Sequence, residues 1–441
     1  METLIIGAGI SGLALARALT EKGHDNLVLE ASDRVGGVID TYTPPGTAWQ
    51  MNYGANTLFV DEEVLGFLDR AGLGPNWAEP SALSKSRFIL KGEEYKKLPN
   101  GPLSLLFGDF FSWKTKRRLI AELTYKGRGP AHESVYDFFA RHFGEEVCDW
   151  AVQPFLAGVY AGDARELLIE FVFPKLVELE AKYGSLIQGM RKEGFGAGRR
   201  KSISFVMGMR ELCEALADMT QAVRGQSPVD RLERLPDGRW RAVTESGEAF
   251  EARNIVLSIP AYRVAHLLAQ HHPDAAHRFG CVHYTELAQV HIGFDSKDIH
   301  RPLHGFGGLH PPGARTFTSG VLWVSSVLPM RAPAGSQLLV AFVGGEGRPS
   351  ITGMPTEAIL DKVEAELRKL YQIDAPATVR HLRRWDCAIP QYDRRMLGVA
   401  EAAQALEADR LYVQANWVGG VSVQDCIKKA LRLAERLESV G

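Results

Sequence analysis

Apolar and polar positions alternate in blocks that change period along the chain. A short apolar run, Thr3-Leu4-Ile5-Ile6, breaks at glycine and gives way to Leu13-Ala14-Leu15-Ala16-Arg17-Ala18-Leu19, which has helical composition. A second apolar run, Asn26-Leu27-Val28-Leu29, follows, so the opening predicts strand, glycine turn, helix and strand. Residues from about 60 to 190 show mostly helical spacing with cap candidates, as at Ser134-Val135-Tyr136-Asp137-Phe138-Phe139 and Glu145-Glu146-Val147-Cys148. Ser204 to Met209 leads into a further helix. A strand meander is expected through Pro228-Leu232, Arg239-Val243 and the turn at Ser246-Gly247, and then a buried strand from Asn254 to Ile259, ended by Pro260. Alternating strands recur from about 282 to 345, including Leu287-Phe294 and Val321-Val324, followed by a helix from Thr356 to Tyr371. The chain closes on a strand at Leu411-Val413, a glycine turn and a helix from Gln424 to Leu437.

These blocks predict an α/β fold: a Rossmann-type dinucleotide-binding domain, a sheet-containing substrate domain and a helical insertion. The expected boundaries are 1–75, 190–275 and 380–441 for the discontinuous dinucleotide domain, 76–189 for the mainly helical insertion and 276–379 for the substrate domain. With 441 residues, 45% of them hydrophobic, the chain can bury a large core in about two or three domains. A net charge of −2 argues against a nucleic-acid partner. The five cysteines form no Cys-x-x-Cys pair, which points to a reducing compartment, the cytoplasm, without disulfides or zinc. None of the 13 histidines stands in a triad or metal cluster, so no metal is expected. The apolar start lacks a basic leader and is interrupted by glycines, unlike a signal peptide, and no stretch approaches the roughly 20 apolar residues of a membrane span.

The chemistry begins at Gly7-Ala8-Gly9-Ile10-Ser11-Gly12. Gly7 permits the tight turn, Gly9 lets the backbone approach a pyrophosphate, and Gly12 allows helix and strand to pack closely. The helix beginning at Ile10 and Ser11 offers free N–H groups and a positive dipole end to the phosphates. Glu30 ends the second apolar run about 20 residues further on, where an adenosine ribose needs an acceptor. Ala31 adjoins it, and Asp33-Arg34-Val35-Gly36-Gly37 supplies a second basic, glycine-rich turn of the kind two-dinucleotide flavoproteins carry. Arg34 can neutralise pyrophosphate charge while Gly36 and Gly37 admit the flavin side of the cofactor. Near the other chain end, Asn416, Gly420, Val421 and Ser422 precede a helix whose N–H groups would meet an anionic reduced flavin. Together these residues specify FAD, and Gly54, Val229 and Trp385 complete the candidate cofactor contacts.

Two further segments stand out. Leu103 to Phe111 and Trp113 are apolar and aromatic and abut Lys114, Lys116, Arg117 and Arg118, which reads either as a core helix with a solvated basic end or as a peripheral contact at the inner face of a membrane. Gly194-Phe195-Gly196-Ala197-Gly198-Arg199-Arg200-Lys201 reads as a mobile, glycine-rich loop.

Over most of its length the chain resembles the protoporphyrinogen oxidase family of the amine-oxidase-like FAD superfamily. The resemblance is carried by Leu156-Ala157-Gly158-Val159-Tyr160-Ala161-Gly162-Asp163-Ala164-Arg165-Glu166-Leu167, by Phe173-Pro174-Lys175-Leu176-Val177-Glu178-Leu179-Glu180, and by Arg87-Phe88-Ile89-Leu90 ahead of Lys97-Leu98-Pro99. Trp385 ahead of Ile389-Pro390-Gln391-Tyr392, and Gly420-Val421-Ser422-Val423-Gln424-Asp425-Cys426-Ile427, carry it further. It implies that Arg87 meets a propionate of a tetrapyrrole, that Phe306 and Leu309 sandwich the macrocycle, and that Gly158 approaches it through its backbone. It also implies six-electron oxidation of a porphyrinogen to a porphyrin in haem biosynthesis, with dioxygen as acceptor and hydrogen peroxide as product. Protoporphyrinogen IX is the leading substrate and coproporphyrinogen III the alternative. Other amine-oxidase-like oxidation, and tetrapyrrole binding without turnover, are competing readings; Glu286 to Phe294 contains no lysine of the kind amine oxidases place near the flavin. A homodimer stays open, because periodicity does not separate an interface from a core. The chain departs from the family at Asp393-Arg394-Arg395-Met396, where Gly-His is usual, and at Ala415, where glycine is usual.

Overall fold

The computed structural model describes residues 1–99, 101–194, 200–220 and 222–438. Its first layer is a five-stranded parallel sheet in the order Val223–Arg224, Asn26–Leu29, Thr3–Ile6, Asn254–Leu257 and Leu411–Val413. The three longest-separated segments of the chain therefore meet side by side: Thr3 pairs with both Asn26 and Asn254, and Ile255 pairs with Leu411. Near-continuous apolar runs suit such strands, which are covered on both faces. On one face the helix Ile10–Glu21 lies beside the C-terminal helix Val423–Glu438, burying Leu13, Leu15 and Leu19 with Ile427, Leu433 and Leu437. On the other, the antiparallel meander Val229–Arg234, Trp240–Thr244 and Ala249–Ala252 contributes Leu232 and Trp240 to a second core. The α/β class with a dinucleotide-type sheet is thus as expected.

The second layer is a seven-stranded mixed sheet in the order Val379–Pro390, Tyr284–Asp295, Ser336–Gly344, Thr318–Leu322, Gly307–Leu309, Arg87–Lys91 and Glu94–Lys97. It reaches beyond 276–379 at both edges. Arg87–Lys91 pairs in parallel with Gly307–Leu309, and Val379–Pro390 runs antiparallel to Tyr284–Asp295. Val379–Pro390 is an edge strand with charged side chains on both faces, and Arg87–Lys91 is a short apolar run with a charge at each end, so neither shows a clear period of two. The helix Thr356–Tyr371 covers one face through Ile359, Val363 and Leu367. Val321 and Leu322 end their strand, and Val324–Val327 turns into a short helix, so the strand is shorter than its apolar composition suggests.

Helices occupy most of Pro102–Lys192. The apolar–basic segment divides: Phe110 and Phe111 are buried against Ile89, whereas Phe107 is 80% and Trp113 75% exposed. Among the described residues no helix is long and apolar enough to cross a membrane. Of the glycine-rich basic segment, residues 195–199 lie outside the described residues.

Candidate flavin and substrate site

Both glycine turns sit at the C-terminal edge of the parallel sheet, and their backbones touch. Gly9 bridges Gly36, and the Gly36 N–H donates to the Ala8 carbonyl at 2.8 Å. Gly7 has φ +106°, and a Cβ on it would lie 2.6 Å from the Ser258 carbonyl oxygen. Gly12 is tighter still, since its Cβ would stand 2.0 Å from the Gly7 oxygen, so the helix is drawn hard against the turn. A Cβ on Gly9, by contrast, would meet nothing within 4 Å, leaving open space in front of the first helix turn. No side chain caps that helix, so the N–H groups of Ile10 and Ser11 face this space.

Glu30 stands at the rim. Its carboxylate accepts from the Ala8 N–H at 2.8 Å and from the Ser32 N–H at 2.9 Å, which fixes it beside the open turn. Ala31 follows it, and the Ser227 N–H returns to the Glu30 carbonyl, so Val229 begins its strand nearby. The Arg34 guanidinium donates to the carbonyls of Val35 at 3.1 Å and Gly37 at 2.7 Å, and its Nε lies 3.6 Å from Asp40. It braces the second glycine turn and keeps a positive charge there. Gly54, at φ +70°, is clasped by Gln289, which accepts from its N–H at 3.1 Å and donates to its carbonyl at 3.2 Å. Trp385 projects from the edge strand towards Tyr53, with ring centroids 6.4 Å apart.

The C-terminal turn completes this edge. Tyr392 donates its hydroxyl hydrogen to the Asn416 carbonyl at 2.7 Å and accepts from the Gly420 N–H at 3.0 Å. Gly420 has φ +114°, and Ser422 accepts from the Asp425 N–H at 3.1 Å, capping the helix that Val421 precedes. Ala415 is buried, and the turn forms with alanine in place of glycine. At the other departure, Asp393 accepts from the Arg395 backbone N–H at 2.8 Å and pairs with its side chain at 2.5 Å, so these residues build a local turn.

The four substrate candidates come together where two neighbouring strands of the seven-stranded sheet meet the helix Gln153–Tyr160. Gly307 is the register partner of Arg87, Phe306 lies under the Arg87 guanidinium at 5.3 Å, and Leu309 reaches across to Gly158. Arg87 is open to solvent yet walled by protein, and the partial loss of water lowers its pKa. Phe155 and Val159, one helical turn apart and flanking Gly158 in the chain, add exposed apolar surface. Reading the chain alone misses Gln289, Tyr392, Phe155 and Val159. Tyr392 has a signal in its Pro-Gln-Tyr context, and Phe155 and Val159 have one in their own i, i+4 spacing.

An open cradle at Gly9, closed packing at Gly7 and Gly12, and a carboxylate and an arginine flanking them fit FAD. Such a fold and site define a flavin-dependent oxidoreductase. The chain belongs to the family of flavin containing amine oxidoreductases, whose model matches residues 10–437, and its cofactor is FAD. It falls in the protoporphyrinogen oxidase branch: the chloroplastic protoporphyrinogen oxidase of Oryza sativa subsp. japonica is 30% identical over 474 residues, covering 99% of this chain and 88% of that one. The coproporphyrinogen III oxidase of Bacillus subtilis (strain 168) is 25% identical over 465 residues, covering 97% and 95%. The crystal structure of a candidate protoporphyrinogen oxidase from Exiguobacterium sp. 255-15 superposes with a TM-score of 0.81 at 22% identity, covering 100% of this chain and 99% of that one.

Proposed function

We propose that this chain oxidises protoporphyrinogen IX to the porphyrin in haem biosynthesis. The observation that carries the reading is the joint placement of Arg87 over Phe306 and of Leu309 against Gly158 on neighbouring strands and one facing helix. A flat macrocycle with carboxylate arms needs apolar walls and a cation at the rim, and these residues supply both. Bound FAD supplies the two-electron acceptor. Arg87 anchors a propionate, Phe306 and Leu309 hold the ring and exclude water, and the glycine backbone at 158 admits it closely. In three two-electron rounds the macrocycle gives up six electrons and six hydrogens, which dioxygen removes as hydrogen peroxide. No side chain is required as an essential base, because the redox chemistry belongs to the cofactor.

The test is turnover of FAD-loaded protein on protoporphyrinogen IX and coproporphyrinogen III side by side, under air and anaerobically, with peroxide measured. Faster turnover of protoporphyrinogen with stoichiometric peroxide is expected. Preference for coproporphyrinogen would reassign the substrate, and failure of either porphyrinogen to bleach the flavin would sink the oxidase reading.

A peripheral membrane contact is a second proposal, favoured by the exposure of Phe107, Trp113 and Ile120 beside Lys114 and Arg117. Apolar side chains next to a basic cluster suit an anionic bilayer surface.

A further inference from the structure

Lys429 is a cation on the helix that follows the C-terminal glycine turn. On that helix Cys426, Ile427, Ala430, Leu433, Ala434 and Leu437 form the buried stripe, and Lys429 lies beside its first turn. Its side chain runs back beneath the turn, close enough that a Cβ on Gly419 would meet its Cδ at 3.3 Å. There the ammonium donates to the carbonyls of Ala415 at 2.7 Å and Gly420 at 3.2 Å, and also to that of Val418. Three carbonyls from six residues converge on one cation, a path made possible by positive φ at Gly419 (+69°) and Gly420 (+114°).

The consequence follows from peptide planarity. In a trans peptide the C=O and the following N–H point in opposite directions. Carbonyls drawn inward at 415, 418 and 420 therefore turn the N–H groups of Asn416, Gly419 and Val421 away from Lys429. Three outward amides gathered within one turn present partial positive charge to whatever lies before them. Desolvation lowers the Lys429 pKa, and the nearby Asp425 carboxylate, held by the Ser422 hydroxyl at 2.6 Å, opposes that shift. Two neutral side chains also hold the turn: Tyr392 fixes Asn416 and Gly420, and the buried Trp417 indole donates to the Ile259 carbonyl at 3.0 Å, so Lys429 is its one charged anchor among these.

We propose that Lys429 is a positioning residue for the cofactor: it shapes the Ala415–Gly420 turn so that its amides, backed by the lysine charge, favour the negative charge that reaches the flavin ring on reduction. This rests on the reading that the ring lies against Asn416–Ser422. Without Lys429 the amides lose their orientation and Asp425 stands alone behind the turn, so the oxidised form gains relative to the reduced one. Lys429→Arg keeps the charge, Lys429→Gln keeps hydrogen-bond donors without it, and Lys429→Met keeps neither.

The measurement is the midpoint potential of bound FAD in the full-length holoprotein, taken by dye equilibration without porphyrinogen. Lys429→Met should lower it by about 30 mV, equivalent to a tenfold loss of preference for the reduced form in a two-electron couple. Lys429→Gln should fall between, and Lys429→Arg should stay near the parent value. FAD-loaded Lys429→Met at the parent potential would overturn the proposal. Should Met lose FAD, Gln decides; loss of fold in both, with Arg intact, would assign Lys429 to chain stability alone and also overturn it. Val421→Glu separates the underlying placement. If it alters neither FAD content nor potential, the ring does not face this turn; if it lowers the potential while Lys429→Met does not, only the role of Lys429 fails.

Discussion

Leu309 closes on Gly158: a methyl group at that glycine would stand 2.9 Å from Leu309 Cδ2. The helix Gln153–Tyr160 crosses the strand Gly307–Leu309 at a point where only hydrogen leaves a gap. Gly158→Val should push Leu309 into the cleft at a cost of about 1–3 kcal/mol. The KM for porphyrinogen is then expected to rise about tenfold, since 1.4 kcal/mol is a factor of ten. FAD content should be unchanged. Steady-state kinetics on the FAD-loaded variant checks this, and an unaltered KM would remove the pair from the substrate wall.

Gly12 tolerates no side chain for a different reason. Its Cβ would approach the Gly7 carbonyl oxygen to 2.0 Å, a backbone contact that no rotamer change relieves. Gly12→Ala is expected to be purified largely without flavin, read as the ratio of flavin to protein absorbance. A full complement of FAD in that variant would show that the first turn can open without harm to the site.

Arg87 is a rim cation over an aromatic ring, 5.3 Å from the Phe306 centroid. A charge-assisted hydrogen bond to a carboxylate contributes about 1.5–3 kcal/mol. Arg87→Ala should therefore raise KM for the carboxylated macrocycle by about tenfold or more and change kcat less. Arg87→Lys should recover part of the loss, because lysine keeps the charge without the bidentate fork. Equal KM values in all three proteins would withdraw the assignment.

Two histidines tie stability to acidity. His291 and His310 are both 0% exposed, and desolvation pushes their pKa values down to about 3 and about 4. His291 Nε2 donates to the Asn52 carbonyl at 3.0 Å, and His310 is bonded to the Tyr95 hydroxyl at 2.7 Å. Unfolded histidine titrates near 6.5, so below that pH the unfolded chain binds protons the native fold refuses. Their contribution is present above about pH 6.5 and is lost as pH falls towards 4, by about 1.4 kcal/mol per unit for each ring. Urea unfolding between pH 7 and 5 should show about 2 kcal/mol less loss in His310→Asn than in the parent. Equal losses would place the acid sensitivity elsewhere.

Phe107 and Trp113 present their rings to solvent at 80% and 75% exposure, while Phe110 and Phe111 are buried. Replacing Phe107 and Trp113 by serine should weaken co-sedimentation with vesicles rich in anionic lipid and leave FAD content intact. The same replacement at a buried ring would cost fold stability, so only the exposed pair tests the surface. Unchanged vesicle binding would reject this face as the membrane contact.

The glycine turns of the first forty residues were legible from their spacing. Gly7, Gly12 and Gly36 shape or pack the backbone within their own turns, where conformation and close approach leave few alternatives. The helix Thr356–Tyr371 was equally plain, since its apolar period lies within one segment. Less legible were the strands Arg87–Lys91, an unbroken apolar triplet between two charges, and Val379–Pro390, whose charges fall on both faces. The membrane reading of Leu103–Phe111 illustrates the same limit. One apolar run holds rings that turn inward and a ring that turns outward, and composition does not separate them.

By itself, the sequence determined that two glycine turns, an acid and an arginine stand in order after a short apolar strand, because that chemistry is local and the chain supplies it within 37 residues. Only the tertiary structure decided what those turns face. Gln289 reaches Gly54 across 235 positions, Tyr392 ties down Gly420 across 28, and Arg87 meets Phe306 through parallel pairing with Gly307. Such contacts join segments whose separation carries no period, and each depends on sheet order and on the path of a turn. The same reason hides Lys429: its charge is visible in the chain, but the three carbonyls that converge on it exist only once Gly419 and Gly420 have bent the backbone around its ammonium.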